Sequence, residues 1–225
     1  MSTKEQQYNI QVNEANNAGF ICLGLTSSYT YRNDPRRLIF LLSRYKFVSK
    51  MFTGFEKVLE AGCGDGFGSQ IVAQEVSHID CIDFDKIFIE NCKSYRNNSK
   101  INFFEHDILN GVFKRNYYNG IYSLDVLEHI NKNNEDLFLS NIVGSLKSNG
   151  VLIIGMPSIE SQAYASSQSK EGHVNCKNGK ELKTLLEKYF NNVFLFSMND
   201  EVVHTGYDKM AHYIIVLCTY KKELL

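Results

Sequence analysis

The 225-residue sequence predicts an α/β fold, a doubly wound sheet of seven strands that is mostly parallel with an antiparallel last strand. Three observations carry that prediction. Short apolar runs alternate with helix-periodic segments from residue 55 onward. A glycine-dense turn, Gly62-Cys63-Gly64-Asp65-Gly66-Phe67-Gly68, follows the first of these runs directly. An aspartate closes the second run, 21 residues after Gly62. Residues 1–54 read as an N-terminal helical lid ahead of one globular domain, residues 55–225.

Composition narrows the field. With 44% hydrophobic and 22% charged residues, the chain has the make-up of an ordinary soluble protein with one sizeable core. A formal charge of −1 gives no general attraction for nucleic acid, so no nucleic-acid partner is expected. The strongest apolar runs, residues 38–42 and 213–218, are too short to span a bilayer, and residues 1–7 are too polar for a signal-peptide core. The six cysteines show no C-x-x-C pair and no metal spacing, so the expectation is buried free thiols in a cytoplasmic protein.

The elements can be justified in order. Residues 1–19 are polar and without periodicity, and residues 19–31 mix apolar side chains with Thr26, Ser27, Ser28 and the rings of Phe20, Tyr29 and Tyr31. Asp34-Pro35 starts a helix, because Asp34 can cap it and the missing N–H of Pro35 costs nothing there. Leu38, Leu41, Leu42, Tyr45 and Val48 then recur at helical spacing. Residues 55–61 form the first strand and 69–76 a helix; a second strand, 78–82, ends in Asp83, and Asp85 caps a helix over 86–95. A third strand, 101–105, runs into His106-Asp107-Ile108, and a fourth, from near Gly120, reaches Leu124-Asp125. Leu139, Ile142, Val143 and Leu146 make one helical stripe that stops at Ser148-Asn149-Gly150. Residues 151–156 are a continuous apolar strand of the sheet centre, which Pro157 ends. A helix over 180–190 and strands over 193–197 and 212–219 complete the pattern.

The glycine turn carries the chemistry. A bare backbone lets a ligand approach where a β-carbon would exclude it, and the following helix start offers free N–H groups. Dinucleotide spacing, Gly at i, i+2 and i+5, fits no register, since the third position falls on Phe67, Ser69 or Ile71. The pattern present is acidic-x-Gly-x-Gly-x-Gly, with Glu60 closing the strand. Asp83 stands where a β-α-β nucleotide unit places the carboxylate that accepts both ribose hydroxyls, and Phe84 beside it is placed to cover an adenine face.

Together with Asp107-Ile108 and the order of elements, these motifs resemble the class I S-adenosylmethionine (SAM) dependent methyltransferases over about residues 55–225. The resemblance implies a Rossmann-like sheet and SAM as cofactor, leaving as S-adenosylhomocysteine (SAH). It assigns cofactor contacts to Glu60, Gly62, Cys63, Gly64, Asp83, Phe84, Asp107, Ile108 and Leu124, and makes Tyr29, Tyr31 and Arg32 of the lid candidate ligand contacts. Asp125-Val126-Leu127-Glu128-His129-Ile130, with Gly172-His173, looks most like the branch containing quinone-biosynthesis and sugar-modifying O-methyltransferases. That branch implies a small-molecule acceptor, a hydroxyl on a sugar or surface-glycan precursor or on a quinol-like ring. N-methylation of an amino sugar is the first alternative, and a non-catalytic SAM-binding scaffold the second. Methylation of nucleic acid or protein is disfavoured, because Ser123-Leu124-Asp125-Val126 replaces the Asn-Pro-Pro-Tyr type of amine-binding tetrapeptide.

Imidazole is the natural base near neutral pH, and His129 is the first candidate for it, His173 the second. His204 could also face the acceptor, His212 is ambiguous, and His78 and His106 read as scaffold. In the quinone enzymes resembled here, an acid-x-x-Glu-His cluster holds a divalent metal. Asp125, Glu128 and His129 reproduce that spacing, a set suited to Mg²⁺ or Mn²⁺. The competing reading is a helix start whose acids complement the helix dipole.

Overall fold

The computed structural model describes residues 3–223; Met1 and Ser2 of the expected lid and Leu224 and Leu225 of the domain lie outside them. The amino-terminal part is helical. Helix α1 (Asn9–Ala18) buries no residue, α2 (Leu25–Asn33) buries Ser27, and α3 (Arg36–Met51) buries Leu38, Tyr45, Val48 and Ser49. The start of α3 follows the capping logic: the Asp34 carboxylate accepts the Arg36 backbone N–H at 3.2 Å, and Pro35 is already helical at φ −60°.

The sheet begins with β1 (Lys57–Ala61), followed by the short helix α4 (Ser69–Val72), β2 (His78–Asp83), α5 (Lys86–Tyr95), β3 (Ile101–Glu105) and β4 (Tyr118–Leu124). Helix α6 (Glu135–Ser145), β5 (Leu146–Pro157), α7 (Ser167–Gly172), α8 (Gly179–Leu186), β6 (Phe190–Asn199), β7 (Val202–His204) and β8 (Tyr213–Lys221) complete it. The strand order is β3-β2-β1-β4-β5-β8-β6-β7. Strands β1 to β5 pair in parallel, and β8 runs antiparallel between β5 and β6, as expected of the last strand. Among the described residues the sheet has eight strands rather than seven. The extra one, β7, folds back on the end of β6 through Asp200, whose φ is +50°.

Among the element boundaries that differ from expectation, α4 stops at Val72 instead of reaching residue 76, and two others differ for one shared reason. Leu146 completes the apolar stripe of α6 but is the first residue of β5, paired with Tyr118, and Ser148-Asn149-Gly150 lies within that strand instead of ending the helix. Phe190 likewise opens β6, paired with Lys221, rather than closing α8. A buried residue at an element junction satisfies both periodicities, so the stripe alone cannot locate the boundary.

Helices cover both faces, which is what doubly wound means. Tyr45, Val48 and Phe52, with Val72 and Ile89 from α4 and α5, pack on one face; Phe138, Leu139 and Ile142 of α6 and Leu182 and Leu186 of α8 pack on the other. Full burial of a side chain such as Val48 or Ile142 contributes about 1.5–3 kcal/mol relative to exposure. This double packing fixes the carboxyl edge of the parallel strands, where ligands bind in open α/β sheets.

Candidate active site

The turns after β1, β2, β3 and β4 enclose a cleft of about 650 Å³, lined by Gly62, Gly64, Asp83, Phe84, Asp107 and Ile108 among others. The two glycines do different work. Gly62 (φ +81°) faces protein, where an added Cβ would lie 2.3 Å from Val126, whereas Gly64 (φ +52°) has nothing within 4 Å of that position. Its N–H donates to Asp83 Oδ2 at 2.9 Å, and the Asp85 N–H donates to Oδ1 at 3.0 Å. The Asp83 carboxylate is thereby held at the cleft wall with further lone pairs to offer. Asp107 accepts the Leu109 N–H at 2.9 Å through one oxygen, and Phe84 is 75% exposed beside the opening.

Three residues expected to touch the cofactor do not line this cleft. Glu60 is buried beneath it, where its carboxylate accepts hydrogen bonds from Tyr45 at 2.9 Å, Tyr122 at 2.8 Å and Ser69. Burial pushes its pKa up to about 7, against the pull of these donors. Its place is that of a post joining α3, α4, β1 and β4. Cys63 and Leu124 are core side chains of the same layer.

The amino-terminal helical segment is fastened to the glycine turn by residues that no motif marked as fasteners. Asp65 accepts the Ser27 backbone N–H at 2.7 Å and the Thr26 hydroxyl at 2.8 Å. It thus satisfies one of the free N–H groups at the start of α2 and complements its dipole. Arg96 donates to the carbonyls of Cys22 and Leu23, both at 2.6 Å, and to that of Asp65 at 3.2 Å. Thr26 and Thr30, one helical turn apart, are the α2 residues that line the cavities; Tyr29, Tyr31 and Arg32 do not.

Beside the cleft lies an inner chamber of about 270 Å³, and Asp125 and His129 line both. Asp125 has φ +57° and donates its N–H to the Gly155 carbonyl at 3.0 Å. Both of its oxygens accept from Arg44 Nη1, at 2.9 and 2.7 Å, and the guanidinium lies 3.7 Å above the Tyr213 ring. Glu128 is 0% exposed, and neither of its oxygens has a hydrogen-bond partner among the described residues. Burial, then the charge of Asp125, pushes its pKa well up.

The two histidines proposed as bases come together here, ring centroids 5.1 Å apart. His129 Nδ1 lies 2.9 Å from the Gly172 carbonyl, which can only accept, so Nδ1 carries the proton and Nε2 presents a lone pair. His173 Nδ1 lies 2.8 Å from Gln162 Oε1, and burial, then His129, lowers its pKa. His204 is tied to Asn199 at 2.9 Å and lines neither the cleft nor the inner chamber, so it drops out as a base. His78 is bound to Asp80, as a scaffold residue should be, whereas His106 lines the cofactor cleft while bonded to the Gly111 carbonyl.

The expected metal set does not assemble. Arg44 occupies the Asp125 carboxylate, and the group whose ligand atoms lie within 4.8 Å of one another is Glu128, His129 and His173. One carboxylate and two imidazoles lack the oxygen-rich shell that Mg²⁺ takes. SAM, by contrast, fits: the open face of Gly64, the held carboxylate of Asp83 and the apolar walls of Ile108 and Phe84 suit its charged, ribose and adenine portions.

Comparison with known proteins agrees with this geometry. Residues 59–154 match a family described as a methyltransferase domain. The ubiquinone biosynthesis O-methyltransferase of Rickettsia felis is 29% identical over 140 residues, 60% of this chain and 54% of that protein. The chain thus spans about half the length of the curated relatives it matches. Among solved structures, the methyltransferase domain of bacterial CtHen1-C superposes with a TM-score of 0.66 at 16% identity, over 80% of this chain and 98% of that one. The N-methyltransferase NodS of Bradyrhizobium japonicum in complex with SAH gives 0.60 at 17%, over 90% and 95%. These two show a common fold. The match to a methyltransferase domain covers residues 59–154, from β1 into β5, and so takes in the glycine turn and the ends of all four strands that frame the cleft.

Proposed function

We propose that the protein transfers a methyl group from SAM to a hydroxyl of a small molecule, a quinol-like ring or a sugar, with His129 as the base. The observation that carries this reading is the position of His129. It lines the cofactor cleft and the inner chamber at once, with Nδ1–H fixed on Gly172 and Nε2 free. The O-methyltransferase relatives support a hydroxyl acceptor.

When bound, SAM supplies a methyl carbon already activated by a positive sulfur. The chain's own contribution is alignment and proton removal. Asp83 would accept the ribose hydroxyls and Asp107 the adenine amino group, and the bare backbone at Gly64 would admit the methionine end. Arg44 neutralises Asp125 beside the acceptor, so that charge does not compete for the proton. His129 Nε2 takes the hydroxyl proton as the oxygen attacks, and Gly172 steadies the resulting imidazolium through Nδ1–H.

The test is a turnover assay with radiolabelled SAM on paired hydroxyl and amine acceptors. His129→Ala is expected to lower kcat on the hydroxyl acceptor by about 10²–10⁴-fold with SAH affinity unchanged. Retained kcat on an amine would favour N-methylation, and SAH binding without turnover in the native protein would favour a binding scaffold.

A further inference from the structure

We propose that the acceptor is a two-part small molecule, with a hydroxyl-bearing end in the inner chamber and an anionic group, phosphate or carboxylate, held in an outer chamber between Arg37 and Lys209. This rests on the methyltransferase reading of the cleft. The outer chamber measures about 590 Å³ against about 270 Å³ for the inner one, and the two share Arg37, Pro157, Ser169 and His173. A molecule reacting at His129 therefore has a larger room behind it than around its reacting end.

The two rooms differ in what they ask of a ligand. In the inner one, Asp125 is already neutralised by Arg44, while Glu128 is fully buried with two oxygens that lack donors. A ligand hydroxyl brings those two buried oxygens the donor they lack, whereas an anionic group brings acceptors alone. In the outer chamber, Arg37 comes from α3 and Lys209 from the turn before β8. Among the described residues neither has a carboxylate within 4 Å. One acid, Glu160, lines this room, with a buried oxygen that lacks a donor and suits a further ligand hydroxyl. Two cations against one acid leave its wall positive. The neutral donor end goes in first and the charge stays outside, which fixes the orientation of the acceptor toward the methyl group.

The experiment uses the SAH-loaded protein and two matched pairs of probes, catechol with 3,4-dihydroxybenzoate and glucose with glucose 6-phosphate, in calorimetric titrations. The anionic member of at least one pair is expected to bind ten times more tightly or better. Replacing both cations, Arg37→Gln with Lys209→Gln, should erase that preference while the SAH affinity and the melting temperature stay the same. Equal affinities within both pairs, no binding of any probe to the SAH-loaded protein, or a preference that survives the double substitution would each overturn the proposal. Failure of SAH itself to bind would strike the cofactor reading instead, and is recorded separately in the first titration.

Discussion

Asp65 and Ser27 are 38 residues apart, yet the Asp65 carboxylate accepts the Ser27 backbone N–H at 2.7 Å, tying the start of α2 to the glycine turn. Because Thr26 next to it lines the cofactor cleft, the tie also sets one wall of that cleft. Asp65→Ala should therefore weaken SAH by about tenfold, the loss of one or two hydrogen bonds. Deuterium exchange should rise across residues 20–33 and nowhere else. Unchanged exchange there would show that Arg96 alone holds the segment.

The two cleft glycines should separate binding from folding. Gly64→Val puts its side chain into open space and bears a left-handed backbone cost of about 1–2 kcal/mol. It should stay folded and lose SAH. Gly62→Ala drives a Cβ to within 2.3 Å of Val126 and should lower the melting temperature more than the larger substitution does. Thermal melts with and without SAH read both, and the opposite ranking would contradict the assignment.

Glu60 should leave a mark on stability against pH. Its folded pKa of about 7 lies above the ordinary 4.5, so the folded protein holds this proton more tightly than the unfolded chain. The stabilisation is complete below about pH 4.5 and is lost as pH rises through about 7, a change of about 3 kcal/mol. Glu128 is shifted in the same direction, so the informative quantity is a difference. Urea denaturation at pH 5 and pH 8 should show a smaller fall for Glu60→Gln than for the native protein. Equal falls would mean that the hydroxyl donors around Glu60 offset its burial.

Withholding Mg²⁺ should leave turnover intact. Asp125 is paired with Arg44, and the remaining carboxylate and two imidazoles do not make a Mg²⁺ site. Assays after EDTA treatment, with and without added Mg²⁺, should agree within error. A loss restored by Mg²⁺ would require Arg44 to release Asp125.

How much of the molecule is legible in its sequence depends on whether the signal is local. Asp85 caps α5 through the Ile87 N–H at 2.9 Å, and side-chain-to-backbone rules of that kind are enough to place the helix at 86–95. Gly62, Gly64, Asp83 and Asp107 are legible for the same reason, each lying at a strand end with a fixed offset. Arg44 is not: it reaches Asp125 across 81 residues, and nothing in its own helix marks it. Glu60 is marked by its position in a motif, but its four neighbours come from other elements, and they decide that it faces inward. The residues β7 takes up, 202–204, are too few to show alternation, so that strand leaves no pattern to read.

Strand β8 reaches the middle of the sheet only by passing between two strands made before it, and it holds both through hydrogen bonds along its length. A nascent chain shorter than about residue 221 therefore carries β6 with no neighbour on that side and β5 with one edge bare. The middle of the sheet can therefore close only once β8 has been made, long after the glycine turn upstream is in place.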